Sequence, residues 1–171
     1  MIILVTGGSK SGKSRIAESL LSEIDPKIYL ATMEPFGEEA AEAIARHRKM
    51  REGKGFETIE MSRDIHEIEL SDKVGGILVE CLSTLCANEI FSGNEQNPAE
   101  KILSGIKLLS EKTDKLVLVT SNVSCDGIEY SHETLNYIRV LGELNRKTAE
   151  LSDMVIEAVC GIAVVLKGAR L

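Results

Sequence analysis

The stretch MIILVTGGSKSGKSRIAESL constrains this chain more than any other, because it joins an apolar run to a helical pattern through GGSKSGKS. The run IILVT is short, rich in β-branched residues and closed by glycine, which predicts a buried strand. Beyond the glycines, KSRIAESLLSEI spaces Ile16, Leu20 and Ile24 evenly and keeps Arg15, Glu18 and Ser19 off that line, which predicts an amphipathic helix. Between the two, the pattern G-x-x-x-x-G-K-S falls on Gly7, Gly12, Lys13 and Ser14. Glycines let a loop curl until successive backbone N–H groups face phosphate oxygens. The lysine then reaches the terminal phosphates, the serine hydroxyl is placed to ligate Mg²⁺, and the helix start adds the positive end of its dipole. A phosphate-binding P-loop is therefore expected over Gly7, Gly8, Ser9, Lys10, Ser11, Gly12, Lys13 and Ser14.

Further along, the apolar runs KIYLAT, FETIEM, GGILVEC, KLVLVTSN, MVIEAVC and IAVVLKG alternate with helical patterns. The helices are expected at GEEAAEAIARHRKMR, from about Leu82 to Phe91, around Ile102, Ile106 and Leu109, and at SHETLNYIRVLGELNRKTAELSD. In the last of these the buried side is read as Leu135, Ile138, Leu141, Leu144 and Thr148. Apolar strands alternating with amphipathic helices predict an α/β fold: a mostly parallel sheet covered on both faces, with right-handed crossovers. The final two runs are separated by Gly161 alone, too close for a helical crossover, so they should form an antiparallel hairpin at one edge. No repeat, low-complexity tract or linker interrupts residues 1–171, and a single domain is expected. In such sheets ligands bind at the carboxyl ends of the strands.

Composition excludes several classes. The chain is 43% hydrophobic and 27% charged, which is globular rather than disordered, and its net charge of −7 argues against a broad nucleic-acid or anionic-membrane surface. No run approaches the ~20 apolar residues of a membrane span, and MIILV lacks the basic start of a signal peptide, so a cytoplasmic location is expected. Cys81, Cys86, Cys125 and Cys160 contain no C-x-x-C pair, which argues against structural zinc and for reduced thiols or small buried hydrophobes. His66 and His132, set among polar residues, read as surface histidines.

Two further features carry chemistry. Glu80 ends an apolar run where a carboxylate would hold Mg²⁺ beside a P-loop; a solvent-facing acid at a strand end is the other reading. The stretch RHRKMREGKGFETIE gathers Arg46, His47, Arg48, Lys49 and Arg51 in an otherwise acidic chain. One helical turn of cations can face a triphosphate, and cationic neighbours disfavour imidazolium, leaving His47 neutral and able to act as a nucleophile. The same residues could equally form a solvated basic face.

Nearly end to end, the chain resembles the bifunctional adenosylcobinamide kinase / adenosylcobinamide-phosphate guanylyltransferase family of cobalamin biosynthesis. The resemblance is carried by VTGGSKSGKSRIAE, YLAT, HRKMR followed by FETIE, ILVECLSTLCANEIF, VTSNVSCDGI and LGELNRKTAELSDMVIEAVCGI. It implies a RecA-like P-loop fold assembled as a homotrimer. It also implies two reactions: transfer of a γ-phosphate from ATP or GTP to the corrinoid adenosylcobinamide, then transfer of GMP from GTP onto that phosphate. In the family the histidine of the H-R-x-x-R stretch carries GMP, a position that falls on His47 here. Nucleotide contacts carry over to Gly7–Ser14, to Ala31, Thr32 and Met33, to Arg48, Lys49, Met50 and Arg51, and to Glu60 and Glu80, with Ser14 and Glu80 on the Mg²⁺ side. The chain departs from the family pattern at Gly37, Ala40 and Ala43, at Phe56, and at Ser124 and Cys125. These departures bear on corrinoid contacts and on the balance of the two activities. Another small-molecule P-loop kinase would need Lys13, Ser14 and Glu80 but not His47, and a nucleotide-dependent binding switch is a third reading.

Overall fold

The inner apolar runs bury side chains on both faces and the edge runs FETIE and IAVVLK leave theirs partly exposed, and all of them are strands of one sheet. A computed structural model describes residues 1–34, 42, 44–45, 48–49, 51–70, 72–123 and 129–169. Its strands are β1 (Ile2–Thr6), β2 (Lys27–Ala31), β3 (Phe56–Glu60), β4 (Val74–Val79), β5 (Thr113–Val119), β6 (Met154–Val159) and β7 (Ile162–Lys167). They form a seven-stranded sheet in the order β3-β2-β4-β5-β1-β6-β7. Every neighbouring pair is parallel except β6 with β7, which make the expected antiparallel edge hairpin.

The helices are α1 (Lys13–Ser19), α2 (Leu82–Phe91), α3 (Pro98–Glu111) and α4 (His132–Leu151), with a short 3₁₀ turn at Ile65–Glu67. Residues 42, 44, 45, 48, 49 and 51 are helical too. Other positions of that expected helix lie outside the described residues, among them Gly37, Ala40, Ala43, Arg46, His47 and Met50. Side chains alternate cleanly between two core layers, as a strand period of two requires. Ile3, Val5, Leu78, Val117, Val119 and Ile156 pack with Ile16, Ala17 and Leu21 of the α1 region. Leu4, Ile77, Val79, Leu116 and Leu118 pack with Leu85, Ile102, Ile106, Leu141 and Leu144 on the other face.

Two helical expectations are corrected. α1 stops at Ser19, and the chain tightens into i→i+3 bonds such as Leu21 N–H to Glu18 O and Ile24 N–H to Leu21 O. Leu21 is fully buried, whereas Leu20 and Ile24 are only half-buried. Close packing explains the shape of this end. A Cβ on Gly76 would lie 2.8 Å from Leu21, and one on Gly75 would lie 2.8 Å from Ile24, so paired glycines in β4 let the end of α1 settle onto the sheet. On α4, Leu135 is exposed and Ile138 half-buried, while Val140 joins Leu141, Leu144 and Thr148 inside. Steps of three residues rotate the stripe by roughly 60° each, so Leu135 ends up about opposite Leu144.

The arrangement places β1 between β5 and β6. Chain leaving β1 returns to the sheet on one side, at β2, and chain leaving β5 returns on the other, at β6. The carboxyl end of β1 is therefore a switch point, the position at which open α/β sheets form a ligand crevice.

Candidate active site

At that switch point the loop GGSKSGK curls because its glycines permit what other residues resist. Gly7 has φ of 143° and Gly12 has φ of 98°. A Cβ on Gly7 would sit 2.7 Å from the Ala158 carbonyl, and one on Gly12 would sit 3.1 Å from Gly161 Cα. The turn of the β6–β7 hairpin thus rests against the loop, and the Gly161 N–H donates to Ser11 O at 2.8 Å. From β5, the Asn122 N–H donates to Gly7 O at 3.3 Å, while its Oδ1 accepts from the Thr6 hydroxyl at 3.0 Å. Gly12 caps α1 without a side-chain acceptor, so the first N–H groups of the helix face the loop without a side-chain cap. Lys13 folds back over the cradle, its Nζ donating to Gly7 O at 3.0 Å and Gly8 O at 2.6 Å. Burial lowers the pKa of Lys13, against a smaller opposing effect from Cys81.

Glu80 follows the last residue of β4 and is held from two sides. Its carboxylate accepts from the Tyr29 hydroxyl at 2.8 Å and from the Thr32 N–H at 2.9 Å. Burial first, then the Glu80 charge, push the Tyr29 pKa far above its usual value, so the phenol stays a donor. The segment bearing Thr32 is fixed in turn: its hydroxyl donates to Cys81 O at 3.2 Å and its carbonyl accepts from Asn88 Nδ2 at 2.9 Å. Thr32 is fully buried and orients Glu80, and of the expected trio it is Met33 that lines the cavity.

That cavity, of about 620 Å³, brings together Ser9, Lys10, Lys13, Ser14, Met33 and Glu80. A hydroxyl and a carboxylate in one crevice are the hard oxygen donors that Mg²⁺ prefers, so the residues present fit that ion. Sequence reasoning missed the remaining wall: Cys81, Ser83, Thr84 and Ala87 at and after the start of α2, Val119, Ser121, Asn122 and Val123 at and beyond the end of β5, and Tyr137 of α4. A signal existed for Ser121 and Asn122, which close an apolar strand with polar residues. None existed for Tyr137.

The described cations of the basic cluster do not line this cavity. Arg48 pairs with Glu60, both exposed, and neither is among the described residues lining the cavity. Lys49 is exposed as well. Arg51 is 7% exposed, with its guanidinium 3.6 Å from the centre of the Tyr29 ring and Nε without a hydrogen-bond partner among the described residues. Through Tyr29 this cation touches the residue that holds Glu80. His47 and Met50 lie outside the described residues, as do Ser124 and Cys125.

The cysteine and histidine readings are refined. Cys86 is buried, and burial pushes its thiol up to about 12; Cys160 is exposed. His132 is exposed, but His66 sits half-buried, with ligand atoms of Asp64, His66 and Glu67 within 4.8 Å of one another. The Lys101 ammonium lies 2.5 Å from Asp64, so a cation already satisfies this cluster.

Residues 3–166 match the family described as cobinamide kinase / cobinamide phosphate guanyltransferase. The bifunctional adenosylcobalamin biosynthesis protein CobU of Escherichia coli is 31% identical over 182 residues, spanning 98% of this chain and 100% of that one. The bifunctional adenosylcobalamin biosynthesis protein CobP of Pseudomonas aeruginosa is 28% identical over 168 residues, spanning 96% of each. A solved protein of Pyrococcus horikoshii OT3, 10% identical, shares the fold with a TM-score of 0.50 over 99% of this chain and 87% of its own.

Proposed function

Because the chain belongs to the cobinamide kinase / cobinamide phosphate guanyltransferase family, we propose that it phosphorylates adenosylcobinamide and then converts the product to adenosylcobinamide-GDP. The observation that carries this reading is the opening of the glycine cradle, Lys13, Ser14 and Glu80 into one cavity.

In the kinase step the acceptor hydroxyl oxygen bonds to the γ-phosphorus of ATP or GTP, the bond to the β–γ bridging oxygen breaks to release the nucleoside diphosphate, and the hydroxyl proton passes to solvent. Backbone N–H groups of Gly7–Ser14 hold the β and γ phosphates. Lys13 leaves Gly7 O and Gly8 O for phosphate oxygens, exchanging neutral acceptors for charged ones. Ser14 and Glu80 would hold Mg²⁺, which offsets negative charge on the phosphates. Tyr29 and Thr32 keep the Glu80 carboxylate from turning away.

In the second step a His47 nitrogen bonds to the α-phosphorus of GTP and pyrophosphate leaves. A phosphate oxygen of adenosylcobinamide phosphate then displaces the P–N bond, so one difficult displacement becomes two easier ones. Arg48, Lys49, Met50, Arg51 and Glu60, together with Ala31, Thr32 and Met33, are the proposed contacts of the nucleotide. The Arg48–Glu60 pair and the stacking of Arg51 on Tyr29 hold residues that follow His47 closely in sequence, which supports this reading. A homotrimer and a cytoplasmic location belong to the same proposal. Among the described residues no helix is long and apolar enough to cross a membrane.

The test is incubation with Mg²⁺ and GTP labelled at the α-phosphate. A protein-bound label that is acid-labile and base-stable is expected on the peptide containing HRKMR. A kinase without guanylyl transfer, or a binding switch, would leave no such label, and its absence from active protein overturns the reading.

A further inference from the structure

The cavity is divided by charge. Lys10, Lys13 and Glu80 are its charged residues among those described, and all lie on the loop side or at the tip of β4. Away from these, the lining residues Thr84, Ala87, Val123 and Tyr137 carry no formal charge. Helical spacing creates this uncharged wall. Leu82, Leu85, Cys86 and Glu89 turn inward from α2, which leaves Thr84 and Ala87, three apart, on the side facing the crevice. Tyr137 closes the wall from α4 and is fixed there, its hydroxyl donating to Ser83 O at 3.1 Å. Burial pushes that hydroxyl up to about 12, so it adds no charge. Beside Tyr137 lies Phe91, whose ring is 6.2 Å from that of Tyr137 and which is 54% exposed despite its size.

A triphosphate seated on Gly7–Ser14 occupies the charged side, and an acceptor must meet its γ-phosphate from the other. A second anion entering there would find no counter-charge, and its desolvation would oppose binding. A neutral alcohol on a short aliphatic arm finds small apolar and hydroxyl groups instead. We propose that the wall of Thr84, Ala87, Val123 and Tyr137 is the acceptor subsite of the kinase step. It takes the neutral hydroxyl-bearing arm, while the bulky planar part of the same molecule rests outside on Phe91. The assignment rests on the kinase reading above and gives the acceptor a location within it. An exposed aromatic ring offers a planar ligand an apolar face to stack on, which gives a use to the large side chain left exposed beside Tyr137.

Ala87→Phe fills the subsite, and Phe91→Ala removes the outer platform. Three quantities are read: KM for adenosylcobinamide in the kinase step, calorimetric binding of adenosylcobinamide, and Kd for a non-hydrolysable GTP analogue. Ala87→Phe should raise the corrinoid KM about tenfold or more. Phe91→Ala should raise it about threefold to tenfold. The nucleotide Kd should hold in both variants. Unchanged corrinoid KM in both overturns the subsite and leaves the kinase reading standing. Equal weakening of nucleotide assigns this wall to the nucleotide, which also overturns the subsite. Wild-type protein that binds the corrinoid in an Ala87-dependent way without phosphorylating it sinks the kinase reading and keeps the subsite. Failure of wild-type protein both to bind and to phosphorylate sinks both. Should Ala87→Phe lose the nucleotide-induced rise in Tm that marks a folded cradle, Phe91→Ala, altered at an exposed position, decides alone.

Discussion

Lys13 is the cation folded over the cradle, and burial disfavours its charged form before any ligand arrives. Its folded pKa lies below its unfolded value because burial disfavours the ammonium. The unfolded chain then binds the proton more tightly, so this group lowers stability at neutral pH, and the penalty fades as pH rises from the folded pKa toward the unfolded one. Lys13→Met should therefore melt slightly above wild type without nucleotide, yet fail to gain stability when nucleotide is added; differential scanning fluorimetry with and without GTP reads both. Turnover in the same variant should fall roughly 10²- to 10³-fold in each reaction, in line with loss of one preorganised donor. His47→Ala should behave differently, abolishing the GMP label while sparing much of the kinase step, because only the second reaction needs a covalent carrier. Equal damage to both reactions would mark His47 as structural. Lys13 and His47 were both legible as residue types in a motif. Thr32 was legible only as a nucleotide contact, because nothing in YLAT shows that its N–H is spent on Glu80.

Between elements, the joints were harder to read than the elements themselves. Lys101 of α3 lies 2.8 Å from Glu89 of α2 and 2.5 Å from Asp64 before the 3₁₀ turn, and the Glu89 side chain is fully buried. Lys101→Met leaves that carboxylate without its cation and should cost about 3–5 kcal/mol in a urea titration. The hydrogen bond from Lys101 holds the Asp64 carboxyl below its usual range. A depressed carboxyl pKa contributes stability above the unfolded value that is lost as pH falls through the folded one. Acid should therefore erode wild-type stability more than that of Lys101→Met. A second joint is Gly105, where a Cβ would lie 2.5 Å from Ile65 and 3.0 Å from the His66 nitrogen. Gly105→Ala should destabilise by about 1–3 kcal/mol through overpacking, with nucleotide affinity retained. Neither joint has a local signature, since each pairs residues from segments the sequence pattern treats separately.

For the whole molecule, nucleotide binding should register as global stability, because the cradle is assembled from both ends of the chain. At about 100 times Kd the gain is roughly 2.7 kcal/mol, or a rise in Tm of roughly 5–10 °C for a chain of this size. Gly161→Val should reduce that rise although it lies outside the motif, since Gly161 sits against Gly12 and donates to Ser11 O. An undiminished rise would show that the hairpin is not needed to shape the loop.

Periodicity and punctuation by themselves determined the class of fold, the strands, the edge hairpin and the phosphate loop, because each is written in residues close together in sequence. Ile3, Leu4 and Val5 read as a doubly covered strand without reference to anything distant. Only the tertiary structure decided where α1 ends, which face of α4 is buried, and how the Lys13 crevice is walled. The end of α1 depends on Gly75 and Gly76 in another strand, and Leu135 lies outside because rotation along α4 carries it away from the face Leu144 buries. The uncharged wall of the Lys13 crevice joins Thr84, Val123 and Tyr137 from three segments. No local pattern records such a meeting, because packing selects it through the shape of the whole sheet rather than through neighbours in the chain.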